Sequence, residues 1–389
     1  MAEDRGANRG GLSERERVKV LVNALQANNR SGTGVYVIQL GQRLAALAER
    51  DTVVFAWPRG FRVPQEGRQP NAQFIERTVS TPGARLWYDQ WGVRSDLSDT
   101  RSDVVHFPAN VGSVLPLRNM VVTIHDMTFF LHPEWYRYER ALYYRRAVAR
   151  SAHNAARIIA VSEATANDIT EILRIPRDKI EVVNQGAHER FKRASDPAQA
   201  IARAHYKLPQ RYVLYYGTIE PRKNLERLIQ AWTAYAGKIE QDLVIAGRMG
   251  WKTQPIREEA ERSQYKERIH FPGFIEDEYL PGVISAADVV ALPSLYEGFG
   301  NAIQEGMACG VPVLTSNNSS MPEVAGGAAV LVDPLDLEAI ADGLHRIITE
   351  QALRTELAAK GLERAKQLSW TKTAEGALRV YRQVAGRGG

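Results

Sequence analysis

VVALPSLYEGFGNAIQEGMACGVP, residues 289–312, changes character twice along its length. Val289–Ser294 is a short apolar run rich in β-branched residues, the pattern of a buried strand. Ala302–Cys309 has the composition of a short helix, and Gly310 and Pro312 stop it. Between them, Leu295–Asn301 carries Gly298 and Gly300, which let backbone come close to a ligand, while the helix start offers unpaired N–H groups to an anion. Glu297 sits on the loop. Glu305 lies about one turn into the helix, where a carboxylate can accept hydrogen bonds from vicinal hydroxyls. Taken alone, two glutamates at this spacing read as an ordinary exposed pair, so their surroundings decide.

Working outward, the strand–loop–helix pattern repeats. Strands are expected at Val18–Asn23, Thr52–Trp57, Asp103–Phe107, Met120–Ile124, Arg157–Val161 and Ile180–Val183, with helices at Val35–Ala48, Tyr138–Ala155 and Glu163–Leu173. A polar stretch, Gln185–Pro209, interrupts the alternation. It resumes with strands at Arg211–Tyr216, Asp242–Ala246, Ile269–Phe271, Val289–Leu292, Val311–Thr315 and Ala329–Val332. The chain therefore reads as two doubly wound α/β domains, each a parallel sheet with helices on both faces. The expected boundaries are a disordered tail over 1–17, a first domain over 18–190, a linker over 191–208, a second domain over 209–368 and a final segment over 369–389. Ligands in such sheets bind beyond the carboxyl ends of the strands.

Composition sets the outer limits. A chain of 389 residues exceeds one ordinary hydrophobic core, and 44% hydrophobic with 24% charged residues is the balance of a soluble globular protein. A single cysteine, Cys309, leaves no intrachain disulfide or cysteine-rich metal site and fits a reducing cytoplasm. No apolar run is long enough to span a bilayer, and the first residues lack the apolar core of a signal peptide. The net charge of +5 suits a solvated surface, a phosphate-rich ligand or an anionic membrane. Nucleic acid is not expected, because zinc-finger spacing, basic-region heptads and aromatic RNA-binding signatures are all lacking.

Three further strand ends carry chemistry. After Arg211–Tyr216 comes GTIEPRKN, which places Arg222 and Lys223 at a helix start where the dipole favours acidic residues. A bound diphosphate would remove that conflict, with Arg as a fork and Lys as a point charge; a solvated basic pair is the other reading. Asp242–Ala246 ends in Gly247 and Arg248 at the same edge. In the first half, VVTIHD delivers His125 and Asp126 at a strand end, either lining a site or serving as a turn cap with a local partner. Ser31-Gly32-Thr33-Gly34 can bring backbone N–H groups to a phosphate or simply turn the chain.

With these pieces in order, the second half resembles the donor domain of the GT-B glycosyltransferases of family 4, the group 1 transferases. The matching stretches are GTIEPRKN, AGRMGW, HFPGFIEDEYLPGVISAADVVALPS, EGFGNAIQEGMACGVPVLTS and SSMPEVAGGAAVLVDP. The resemblance implies two facing Rossmann-like domains with a ligand in the cleft between them. It implies that Arg222 and Lys223 hold the donor diphosphate, with Gly32 and Gly34 across the cleft and Gly300 and Asn301 beside it. Glu305 would take the ribose. Glu297, with Gly298, Phe299 and Ser162, would take the donor sugar. Arg248, Phe274 and Leu280 are candidates for the base pocket. His125, with Asp126, would line the cleft near the transferred sugar, making His125, Asp126 and Glu297 the catalytic candidates. Asn301 and Gly306 depart from the commonest pattern, in which Leu and Ala are frequent.

The implied reaction is retaining hexosyl transfer, with mannose from GDP-mannose as the first expectation. The acceptor would be a glycan or lipid-linked acceptor in polysaccharide or glycoconjugate synthesis. A UDP-sugar-dependent transferase or a sugar-nucleotide epimerase on the same fold are the alternatives. No metal or other cofactor is expected, since no Asp-x-Asp motif occurs and two cations stand where a metal would. Glu134–Arg157, with six arginines and five Trp/Tyr residues, reads as an amphipathic helix on its own domain. Its Arg146, Arg150 and Arg157 form one stripe, and Tyr138, Leu142, Val148 and Ala152 lie toward another. Reversible contact with a membrane surface is the second reading, giving a cytoplasmic protein that can sit at the inner face of the membrane. The last helix, Thr371–Val384, is expected to cross back onto the first domain, with Trp370 as a packing residue.

Overall fold

The computed structural model describes residues 17–29, 32–48, 50–63, 68–79 and 81–386. Most of the expected N-terminal tail, and Ser31 of the small-residue loop, lie outside the described residues. Among the described residues thirteen strands form two sheets. The first contains β1 Lys19–Asn23, β2 Thr52–Pro58, β3 Ala72–Arg77, β4 Val104–Phe107, β5 Met120–Ile124, β6 Arg157–Ala160 and β7 Ile180–Val182, in the order β3-β2-β1-β4-β5-β6-β7. The second contains β8 Tyr212–Tyr216, β9 Asp242–Ala246, β10 Ile269–Gly273, β11 Val289–Leu292, β12 Val313–Ser316 and β13 Val330–Val332, in the order β10-β9-β8-β11-β12-β13.

Every pairing in the second sheet is parallel, as are those joining β1 to β2 and β4, β2 to β3, and β4 to β5. The strands are near-continuous apolar runs because helices cover both faces, and Tyr212–Tyr216 and Val289–Leu292 are buried throughout. In each sheet the order reverses once, between β1 and β4 and between β8 and β11. Loops leaving those strands diverge to opposite faces and open a crevice at the carboxyl edge.

By backbone contacts the chain divides into two compact units. One comprises residues up to Thr123, Arg150–Ile158 and the C-terminal residues from Ala374; the other comprises Ile124–Ala149 and Ile159–Thr373. Within the second unit His125, Asp126, Ser162 and Thr165 pack on Gly298. The final helix, Trp370–Val384, enters the first unit at Ala374. There Tyr381 hydrogen-bonds the His106 ring at 2.7 Å and Arg382 pairs with the buried Asp51 at 2.9 Å. Trp370 itself is buried, and its backbone N lies close to Gly186.

The expected linker over 191–208 is largely a helix, Asp196–Tyr206. It packs on the helix Leu280–Ser285, where a Cβ on Gly282 would stand 2.9 Å from that of Ala202. One small buried face sufficed, which a polar composition conceals. The strand β3 was not anticipated either: AQFIER is a half-buried edge strand without an apolar run. Along Tyr138–Asn154, Val148 and Ala152 are buried and Arg146 and Arg150 exposed, but Tyr138 is 76% exposed rather than facing the protein. Among the described residues no helix is long and apolar enough to cross a membrane.

Candidate functional site

The loops leaving β8 and β9 are fastened together. Gly217 and Gly247 have φ of 139° and 143°, and a Cβ on Gly247 would fall 1.7 Å from the Gly217 carbonyl oxygen. Only glycine permits that approach. Ile219 N–H donates to Arg248 O at 2.9 Å, and Gly250 N–H to Ile219 O at 2.9 Å. After a short turn, Pro221–Lys223, the left-handed Asn224 donates its side-chain amide to Pro293 O at 3.0 Å and Pro334 O at 2.7 Å. Leu295 N–H closes on Arg222 O at 2.9 Å. The loop after β8 is thereby fixed to the loop after β11, at the point where the strand order reverses.

Arg222, Lys223 and Glu297 meet there. Arg222 donates to Glu297, to Tyr296 O at 2.9 Å and to Glu220 at 3.0 Å, and Lys223 Nζ reaches Glu297 Oε1 at 2.6 Å. The side chains of Arg222, Lys223 and Glu297 are 20%, 16% and 12% exposed, so the pairing is poorly screened. Burial alone would raise the Glu297 pKa, but Arg222 and Lys223 outweigh it and hold the carboxyl at about 2. Burial and then Arg222 lower Lys223, against the pull of Glu297. Burial opposes the Arg222 charge, yet Glu297, Glu220 and Asp126 prevail and raise its pKa. Removing one member of such a set leaves the others charged and largely buried, which costs about 3 kcal/mol.

The backbone around Glu297 is held from the loop after β12. Ser319 accepts from Glu297 N–H at 3.0 Å, and Ser320 donates to Glu297 O at 2.8 Å and Phe299 O at 2.9 Å. Gly298 lies against the end of β5: a Cβ there would stand 1.8 Å from His125 O and 2.9 Å from Asp126 Cβ. Gly300, at φ 96°, caps the helix Asn301–Ala308, and the buried Phe299 precedes it. Asn301 accepts from Gln304 at 3.2 Å within that helix.

The other expected residues are placed as follows. Asp126 accepts from Thr128 N–H at 3.0 Å, so it does cap the next turn, while its charge also acts on Arg222. Ser162 is fully buried; it caps Glu163–Leu173 through Thr165 N–H and donates to Gly298 O at 2.7 Å, which commits its hydroxyl to positioning the loop. Glu305 is half-buried beside the Tyr216 hydroxyl, and burial pushes it up to about 7 despite Arg190. Arg248 lies over the Phe274 ring at 4.3 Å, both exposed, and Leu280 opens its helix half-buried. Gly32 and Gly34 belong to the first unit. They form the first turn of the helix Gly32–Leu47 rather than a loop before it, because a Cβ on Gly34 would meet Asn29 O at 1.7 Å and glycine lets the turns close.

Sequence reasoning did not anticipate Glu220, Tyr216, Ser319 and Ser320, or the hydrogen bond from Tyr296 to Asp168 at 2.5 Å. Burial raises the Asp168 pKa. The signal for Glu220 was available: a glutamate two residues before an exposed-looking Arg-Lys pair is a natural counter-charge.

Two parallel sheets with a single order reversal in each, one reversal gathering cations, a carboxylate and glycine turns, define the GT-B class of glycosyltransferase. Solved structures agree on the fold. Sucrose-phosphate synthase from Thermosynechococcus elongatus superposes with a TM-score of 0.71 at 20% identity, covering 95% of this chain and 99% of that one. WaaG, a glycosyltransferase involved in lipopolysaccharide biosynthesis, does so with a TM-score of 0.70 at 17% identity over 95% of this chain and all of that one. Residues 199–364 match the glycosyl transferases group 1 family and residues 30–190 match glycosyltransferase family 4. The O-antigen chain mannosyltransferase B of Escherichia coli is 30% identical over 373 residues, covering 90% of this chain and 96% of its own length. The chain belongs to the family 4, group 1 glycosyltransferases.

Proposed function

We propose that the chain is a retaining, metal-independent mannosyltransferase that moves mannose from GDP-mannose to a glycan or lipid-linked acceptor in polysaccharide synthesis. The observation that carries this reading is the largely buried Arg222–Glu297–Lys223 set at the second sheet's order reversal. The mannosyl donor is supported by the 30% identity to a mannosyltransferase over almost its full length. The two cations offer the charge that a divalent ion otherwise lends to a leaving diphosphate. Retention follows from attack on the face the diphosphate leaves. The anomeric C–O bond to the diphosphate breaks, the acceptor oxygen bonds to the same face, and the acceptor proton passes to a diphosphate oxygen. Glu297 orients the sugar and His125 lies on the same side of the site through its carbonyl contact with Gly298. We place the reaction in the cytoplasm with reversible membrane contact through the arginine-bearing face of Tyr138–Asn154.

A thermal-shift series with GDP-, UDP-, dTDP- and ADP-sugars tests the donor, because a ligand that binds the native state raises Tm by mass action. GDP-mannose is expected to stabilise, EDTA to leave turnover unchanged, and the product to keep the donor's anomeric configuration by NMR. Stabilisation by UDP-sugars alone overturns the donor, and epimer formation from the sugar nucleotide without acceptor overturns the transferase reading.

A further inference from the structure

The first sheet also reverses order once, between β1 and β4, and what stands there is a helical segment with a π turn. Pro82–Trp87 continues through the π turn Tyr88–Gly92 into Val93–Thr100. It starts with Thr81 capping Ala84 N–H and Pro82 in the first turn, soon after β3 ends. π turns are uncommon and cluster at functional sites.

This turn is fixed to three strand ends of its own unit. At the end of β1, the fully buried Asn23 donates to Asp89 at 2.7 Å. In the loop after β4, Val114 N–H at 2.8 Å and the Ser113 hydroxyl at 3.1 Å both donate to the Gln90 side-chain oxygen Oε1. At the end of β3, Arg77 pairs with the buried Asp96, which also accepts from Tyr88 OH at 2.6 Å. The Gln90 amide nitrogen is buried and has no partner among the described residues, a cost the fold accepts at this turn.

The outer side of this anchored turn carries Trp87 and Trp91, 62% and 55% exposed. Large indoles are rarely left so open. Trp87 is not a loose side chain: a Cβ on Gly92 would stand 3.3 Å from its Cζ3, so the glycine lets the ring lie against the backbone while much of its surface stays open. Of the neighbouring cations, Arg85 is neutralised and Arg94 is held by the backbone. Arg85 pairs with Asp89 at 3.0 Å, and Arg94 donates to Gln90 O and Pro116 O, each at 2.8 Å. An open aromatic face interleaved with hydrogen-bonded polar groups, one cation neutralised by a carboxylate and the other tied to backbone carbonyls, suits a hydroxyl-rich ligand. It suits less well a phosphate, which needs a cluster of free cations.

We propose that the π turn Tyr88–Gly92 is a carbohydrate-binding subsite of the first sheet, with Trp87 and Trp91 as stacking faces for the pyranose rings of the glycan acceptor. Aromatic rings meet the C–H faces of a sugar, and Trp is the side chain whose loss most often dominates a binding surface. The choice of acceptor glycan rests on the transferase reading above; the stacking site does not depend on the donor.

The test titrates mannobiose and mannotriose into the full chain, following saturation-transfer NMR and Kd, for the wild type, Trp87→Ala, Trp91→Ala and Trp87→Phe. Both rings are exposed, so the variants keep the fold. Each alanine variant is expected to lose about tenfold in oligosaccharide affinity, Trp87→Phe to recover part of it, and GDP affinity to stay constant. Unchanged oligosaccharide binding in both alanine variants overturns the proposal, as does an oligosaccharide-blind wild type. Loss of sedimentation with phosphatidylglycerol vesicles in place of oligosaccharide binding also overturns it, in favour of a membrane face. A wild type that binds oligosaccharide but not GDP refutes the donor reading and leaves the subsite standing.

Discussion

The two sheets share the strand order 3-2-1-4-5-6 along their first six strands, yet their order reversals carry opposite chemistry. Between β8 and β11 the chain gathers Glu220, Arg222, Lys223 and Glu297, with a carboxyl held at about 2. Between β1 and β4 it gathers Asn23, Gln90 and two open indoles. Topology fixes where a ligand can go, because the diverging loops leave backbone exposed at the carboxyl edge. Side chains then decide what goes there. A reversal with its cations on the site suits a phosphate-bearing ligand, and one that presents indoles suits a sugar. The comparison breaks if substitutions in the charged set behave like those in the aromatic one.

The largest effect is expected from Glu297→Ala. Turnover should fall by about 10³-fold, the scale of losing one preorganised electrostatic contact. Affinity for GDP should hold or rise, because Arg222 and Lys223 lose the carboxylate that neutralises them. The apo protein should also be less stable by about 3 kcal/mol, since two largely buried cations are left without their partner. Steady-state kinetics, GDP titration and urea unfolding check the three. Near-normal turnover would remove Glu297 from the reaction.

Gly298→Ala comes next. Its Cβ would sit 1.8 Å from the His125 carbonyl oxygen, so the loop must shift rather than a side chain yield. A displacement of about 1 Å near the reacting atoms costs about 10²-fold in kcat/KM. The affinity for GDP should change far less, because Arg222, Lys223 and Glu305 do not depend on that contact. Unchanged kcat/KM in a folded variant would mean the approach of Gly298 to His125 has no bearing on catalysis.

Legibility in the sequence followed burial. Met120–Ile124, Asp242–Ala246 and Val289–Leu292 are strands at the expected residues, since a short apolar run between turn signals has few other solutions. β3 and the helix Asp196–Tyr206 lack such a run and so carry no such signature in the sequence. Within the site, single residues could be nominated, but their partners could not. Nothing in local spacing shows that Glu297 would take both cations, that Ser162 would be consumed in holding Gly298, or that Ser320 would brace Phe299. Those are contacts between segments tens to hundreds of residues apart, set by the sheet order. Trp87 and Trp91 went unremarked because exposure is invisible until the helix they ride on is seen.

The smallest effect separates the two glutamates of the opening motif by the sign of their pH response. Glu297 has a folded pKa lowered from 4.5 to about 2, so its contribution to stability is present above 4.5 and is lost as pH falls through about 2. Glu305 is raised from 4.5 to about 7, so the native carboxyl holds its proton more tightly than the unfolded one. Its contribution is therefore largest below 4.5, declines as pH rises to about 7, and is flat above. Glutamine imitates the protonated form. Glu305→Gln should match the wild type in Tm near about pH 5 and exceed it near about pH 8. If the ionised carboxylate receives ribose hydroxyls, the same variant should lose about tenfold in GDP affinity at the higher pH, the scale of a charged hydrogen bond. Wild-type affinity should then fall toward the variant's on acidification below about 7. A Tm difference that stays constant across that range would show that the fold does not oppose the Glu305 charge. A GDP affinity that does not follow the titration would detach Glu305 from the nucleotide and leave the charged reversal to Arg222, Lys223 and Glu297.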